Sequence, residues 1–335
     1  MKRIISLLLA LALSLSLAAC AAPAEKADGG KLQIVTTLFP YYDFARAIAQ
    51  DRADVTLLLS PGREAHSFEP TPLDAVTISK ADVFLYNGGE GEYWVESMLD
   101  AAGEHIAVAS RMMDYVDALN EEYVEGMQGA DGHDHDHEHG SHDDHDHDHE
   151  EDEHDSDEIE YDEHIWTSPK NAVVLCRAVC DAICRADAEN AAFYRANCEN
   201  YCAQLEDLDA RFAALCESAP RRLLIFADRF PMLYFCREYG LDYRAAFHGC
   251  SGDTEPSLAT IKFLIDKVED ENIPVVYTID FGTKKVAAVV SECTGAAIET
   301  LYSMQTVSRA DFDAGETYLT LMERNFEALR KGLNE

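Results

Sequence analysis

Of the chain's 13 histidines, a large share crowd into one short segment: His133, His135, His137, His139, His142, His145, His147, His149 and His154, interleaved with Asp, Glu and Gly. Neutral imidazole and ionised carboxylate are both metal ligands near neutral pH, so this tract can collect divalent cations weakly at many points. It offers nothing apolar from which to build a core, and its composition predicts disorder. A solvated acidic spacer is the plain alternative, but a spacer has no need of imidazole.

Four other residues have the types and the placement for a single tighter site. His66 lies in PGREAHSFEP, where Pro61, Gly62 and Pro70 impose a non-helical path. His164 lies in EYDEHIWTSP, Asp228 ends the run LLIFAD, and Asp280 ends VVYTID. Two imidazoles and two carboxylates suit zinc in a roughly tetrahedral set. His248, in AAFHGCS, competes for the third position, with Cys250 behind it. Each residue also has an ordinary reading, as an exposed loop histidine or as an aspartate closing a turn or capping a helix.

These candidates must be held by a scaffold, and the apolar pattern supplies one. Short β-rich runs at 32–39, 54–60, 82–88 and 105–110 alternate with helical stretches at 41–50, 72–80 and 93–102. A second set of runs at 222–228, 242–247, 274–280 and 297–303 repeats the alternation and closes with a helix over 315–333. Alternation of this kind implies parallel sheets covered by helices on both faces, an α/β class with two lobes. In such sheets ligands bind beyond the carboxyl ends of the strands, where His66, Asp228 and Asp280 fall. Between the halves lie helical segments at 169–187 and 188–217, the first opened by Ser168 as cap and Pro169 in the first turn. The second is long enough to run along both lobes as a stiff connector, which favours limited hinge motion.

The expected organisation is a signal peptide over 1–20, a tether over 21–31, an N-terminal lobe over 32–187 with the disordered insertion at 128–160, a connecting helix over 188–217, and a C-terminal lobe over 218–335. Lys2 and Arg3 precede an apolar run too short to span a bilayer, and Leu17-Ala18-Ala19-Cys20 has the form of a lipoprotein processing site. Cys20 is therefore expected to carry a lipid anchor outside the cytoplasm. The formal net charge of −36 argues against nucleic acid or an anionic membrane surface as partner and is compatible with cations. Without Cys20, nine of the 10 cysteines remain, an odd number, so at least one thiol should be free. Cys176, Cys180 and Cys184 recur every four residues, as do Cys198 and Cys202, and read as small buried residues on helix faces. No His-Glu-x-x-His signature is present, so a metallohydrolase is not expected.

Taken together, the processing site, PGREAHSFEPTPLD, the acidic histidine tract, DEHIWTSPKNA, the long helix and LIFADRFPMLYFCREYGLDY resemble the zinc and manganese substrate-binding proteins of bacterial ABC importers. The resemblance spans essentially the whole mature chain. It implies two α/β lobes joined by a rigid helix, metal held between them, delivery to an importer permease in the membrane, and no catalysis. It makes His66 and His164 the first two ligands. The family commonly has His or Glu near Asp228, which takes the third place with a one-residue shift. Manganese-binding members carry a further Asp near the last strand's end, where this chain reads LYSMQTV, leaving Asp280, His248, Glu69 or water for the fourth position. Of these, Glu69 is expected to support its loop. The histidine-rich insertion goes with zinc as the substrate more than manganese. Manganese or iron, or a surface role in metal buffering or adhesion, are the alternatives.

Overall fold

The computed structural model describes residues 30–64, 68–103, 106–127, 160–249 and 256–334. The expectations concerning the signal peptide over 1–20 with Cys20, the tether up to residue 29, His66, Cys250 and the insertion up to residue 159 with its nine histidines fall outside the described residues.

Two parallel sheets form the framework. The first comprises β1 (Leu32–Thr36), β2 (Ala53–Leu57), β3 (Val83–Tyr86) and β4 (Val108–Arg111), in the order β2-β1-β3-β4. The second comprises β5 (Leu223–Phe226), β6 (Asp242–Ala245), β7 (Val275–Ile279) and β8 (Ala297–Leu301), in the equivalent order β6-β5-β7-β8. Every pairing is parallel, as the strand-helix alternation requires. In the second sheet the chain moves from β5 to one side, then crosses back to β7 on the other. The crevice where the order reverses thus lies between β5 and β7, at their carboxyl ends.

The helices are α1 (Phe39–Ala49), α2 (Pro72–Ile78), α3 (Trp94–Ala102), α4 (Pro169–Ala186), α5 (Ala191–Ser218), α6 (Leu233–Tyr239), α7 (Leu258–Asp270), α8 (Lys285–Thr294), α9 (Arg309–Ala314) and α10 (Tyr318–Asn334). Ser168 caps α4, its Oγ accepting from Asn171 N at 3.3 Å. The connector α5 runs 28 residues and begins after a short 3-10 turn at Ala188–Asn190. The closing helix starts later than its pattern suggests. Gly315 adopts φ 77° and terminates α9, and the chain re-enters helix only at Tyr318.

One apolar core is continuous through both sheets, uniting Ile34, Phe44, Trp166, Phe212, Phe226 and Tyr318 among its members. A smaller core, around Ile225, Leu264 and Val276, covers the other face of the second sheet. Polar ties reinforce the junction. The buried Asp43 carboxylate on α1 accepts from Tyr201 Oη on α5 at 2.6 Å and from Tyr318 N on α10 at 2.9 Å. Trp166 Nε1 donates to Ser303 O at 2.7 Å, and Tyr318 Oη donates to Trp166 O at 2.7 Å. The shared core and these buried bonds tie the two halves together. Among the described residues no helix is long and apolar enough to cross a membrane.

Candidate metal centre

The cleft is built from loops at the carboxyl ends of both sheets. His164, Asp280, Ser303, Gln305, Glu64 and Arg229 line one pocket there. Asp228 lines the adjoining hollow, which shares Glu64, Arg229 and Phe281 with the first. Asp228 lies two residues after β5 and Asp280 immediately after β7, so they flank the crevice defined by the topology.

His164 precedes the turn Ile165–Thr167 that leads into α4 and is only 2% exposed. Asp162 Oδ1 accepts from His164 N at 2.8 Å and from His164 Nδ1 at 3.1 Å. With Nδ1 carrying that proton, Nε2 bears the ring's lone pair, the arrangement of a metal-ligating imidazole oriented by a carboxylate. Trp166 packs edge-on against the ring at 5.6 Å. Asp162 is itself fixed, because its backbone carbonyl accepts from Tyr234 Oη at 2.8 Å.

The charged form of both aspartates is disfavoured in the metal-free protein. Burial pushes the Asp280 carboxyl up to about 7, although Ser303 N donates to Oδ1 at 2.7 Å, and the neighbouring Asp228 adds to the rise. Burial likewise raises Asp228, against the hydrogen bonds it accepts from Arg229 N at 2.9 Å and Ile279 N at 3.4 Å. Two desolvated carboxylates facing one cleft favour a cation between them. The backbone is adapted to this approach. A Cβ on Gly282 would collide with the Asp228 carboxylate. Phe281 and Met304, on the two loops at the cleft, sit at φ 67° and 60°, strained values for residues with side chains.

The loop of PGREAHSFEP is pinned on both sides of position 66. Gly62 N donates to Val307 O at 2.8 Å, Glu64 forms an ion pair with Arg229 across the cleft, and Phe68 packs on Trp94 at 5.4 Å. Glu69 is exposed. His248 lies apart from the cleft pocket: its Nδ1 donates to Glu121 Oε2 at 2.9 Å, and Nε2 meets Tyr123 Oη at 3.3 Å. That contact with Glu121 raises the His248 pKa.

The structure therefore brings His164 and Asp280 together, places Asp228 beside them and leaves His248 with Glu121. His164, Asp228 and Asp280 are not gathered to within 4.8 Å of one another, a closeness reached among the described residues by Cys176, Cys198 and Cys202. Sequence reasoning missed Asp162, Glu64, Arg229 and Ser303. Asp162 was findable, since an acid two residues before a candidate ligand is placed to bond its ring.

Comparison with known proteins agrees with this architecture. A family model described as "ZnuA: Zinc-uptake complex component A periplasmic" matches residues 34–332. The high-affinity zinc uptake system protein ZnuA of Bacillus subtilis is 31% identical over 308 residues, covering 91% of this chain and 88% of that one. The zinc-binding lipoprotein AdcA of Streptococcus pneumoniae is 30% identical over 334 residues, covering 99% of this chain but only 61% of AdcA. Among solved structures, the metal-dependent lipoprotein YcdH of Bacillus subtilis superposes with a TM-score of 0.72 at 29% identity, over 90% of this chain and all of that one. The Zn(II)-bound ZnuA-like domain of Streptococcus pneumoniae AdcA gives 0.70 at 26% identity, over 91% of this chain and 100% of the domain.

Proposed function

The chain belongs to the zinc-uptake complex component A family, and from that premise we propose that it captures a divalent transition metal, zinc foremost, and delivers it to an ABC importer permease. The observation that carries this reading is the pair of desolvated, neighbouring carboxyls at the strand crossover, Asp228 and Asp280, beside an imidazole whose Nδ1 is held by Asp162. Such a set has an unmet demand for a cation and the oxygen and nitrogen donors that zinc accepts.

The ligands are His66, His164, Asp228 and Asp280. Position 66 is two residues from both Glu64 and Phe68 in the chain. Support for that assignment comes from Glu64, whose side chain lines the pocket of His164 and Asp280. His248 serves a different contact and is not needed as a ligand. The nine tract histidines, within 128–160, gather metal weakly near the cleft. The lobes run over 32–187 and 218–335, with 188–217 connecting them. Cys20 carries the lipid that holds the protein to the outer face of the cell membrane.

Function is capture and release without covalent chemistry. Deprotonated ligands close on the ion, the loaded protein docks on the permease, and rearrangement at the cleft frees the metal. A core shared by both sheets favours rearrangement of the cleft loops and limited hinge motion over wide opening. The test is zinc uptake at chelator-limited supply by cells carrying the intact chain, the His66→Ala/His164→Ala variant, or a chain lacking 131–158. Uptake lost in the double variant and partly retained without the tract supports delivery from the cleft. Uptake that depends on the tract alone assigns the protein to metal buffering at the surface.

A further inference from the structure

The α4–α5 hairpin carries a cluster of thiols that plays no part in the cleft. Cys176, Cys180 and Cys184 lie along one face of α4, and Cys198 and Cys202 along the facing side of α5, all buried and none joined in a disulfide. The antiparallel seam sets Cys184 Sγ 3.8 Å from Ala191 O, Cys198 Sγ 3.8 Å from Cys176 O, and Cys202 Sγ 3.9 Å from Val173 O. Packing alone accounts for small residues at such a crossing, and alanine would serve. It does not account for sulfur at five of the positions.

The sulfur geometry matches metal ligation. Cys198 and Cys202 Sγ are 3.8 Å apart, and the sulfurs of Cys176, Cys198 and Cys202 all lie within 4.8 Å of one another. An ion about 2.3 Å from each of its thiolates sets neighbouring sulfurs about 3.8 to 4.0 Å apart in tetrahedral or trigonal coordination. The site closes around an ion with side-chain adjustments of a fraction of an ångström. Coordination number then selects the ion. Structural zinc takes four ligands, whereas the sulfurs gathered within 4.8 Å of one another are three, at 0%, 2% and 0% exposure. Three soft thiolates in a dry site suit copper(I). A path is also present: Cys184 and Cys180 Sγ are 3.9 Å apart, so sulfurs lead inward along α4 from the turn at 187–190.

We propose that Cys176, Cys198 and Cys202 form a second metal site, for a thiophilic monovalent cation of the copper(I) class, inside the α4–α5 hairpin. It is independent of the cleft, whose pocket none of these cysteines lines. Each thiol that becomes a ligand gives up its proton, and the proton leaves as the ion enters.

The experiment is an anaerobic titration of the reduced full chain with copper(I) against bathocuproine disulfonate, with X-ray absorption on the one-equivalent complex. The expected result is one copper(I) withheld from the competitor, with a shell of sulfur only. Cys176→Ala/Cys202→Ala should lose that equivalent while keeping its zinc binding, which shows that it folds. Cys198→Ser, closer in size, should lose it as well. Three results would overturn the proposal: equal copper(I) retention by the parent and both variants, a nitrogen shell such as the histidine tract would supply, or a disulfide joining α4 to α5 in protein purified without reductant.

Discussion

Asp162→Ala should weaken zinc binding without abolishing it. The carboxylate touches no site for the ion; it holds His164 by two bonds, from the backbone N at 2.8 Å and from Nδ1 at 3.1 Å. Removing it frees the imidazole to change tautomer and tilt. Loss of such an outer partner costs roughly 10- to 100-fold in metal affinity, or about 1.4 to 2.7 kcal/mol. Burial adds a second consequence. The His164 backbone N–H is left without its acceptor in a site 2% exposed, so the metal-free protein should lose about 1 to 3 kcal/mol of stability. Asp162→Asn, which keeps an acceptor oxygen, should fall between parent and alanine variant in both properties. Competition with a fluorescent zinc chelator measures the affinity, and denaturant unfolding the stability. Parental zinc affinity in Asp162→Ala, alongside lost binding in His164→Ala, would refute the claim that Asp162 orients the ligand.

Burial pushes Glu92, on the first lobe beside Glu163, up to about 7 from 4.5, while Gly88 N donates to Oε2 at 2.8 Å and Oε1 has no hydrogen bond of good geometry among the described residues. A carboxyl raised on folding is most stabilising while protonated, so its contribution is complete below about 4.5 and is lost as pH climbs through 7. Glu92→Gln should therefore lose less stability than the parent between pH 5 and 8, by up to about 3 kcal/mol in unfolding of the metal-free protein; equal pH slopes would count against it. Zinc affinity should fall as pH drops through about 6.5, where imidazoles protonate. An affinity flat from about pH 7.5 to 5 would show that no histidine binds the ion. Removing 131–158 should abolish only weak, multiple zinc equivalents in a calorimetric titration and leave the tightest one.

The framework was legible in the sequence because its signals are local and redundant. Buried parallel strands such as VVYTI read as apolar runs, and Ser168-Pro169 marks the start of α4 with little ambiguity. Gly315 misled, since a glycine beside a helical pattern can open the pattern or end the previous helix, and only the backbone φ of 77° decides. At the cleft, Asp228 and Asp280 were visible as strand-end acids. Their mutual crowding was not, because β5 and β7 become neighbours only once β6 is seen to pair on the far side of β5. Glu64 and Arg229 were invisible for the same reason: an ion pair between residues far apart in the chain leaves no spacing to recognise. The helical period placed Cys176, Cys198 and Cys202 on helix faces, but the register of the hairpin was needed to bring those faces together.

The central claim is that the cleft, and not the tract, holds the tight metal. It is tested most directly by competitive zinc titration of the parent, His66→Ala/His164→Ala, and the chain without 131–158. One tight equivalent in the parent that persists without the tract and disappears in the double variant is the predicted result. Tight binding that survives in the double variant and vanishes with the tract would contradict it.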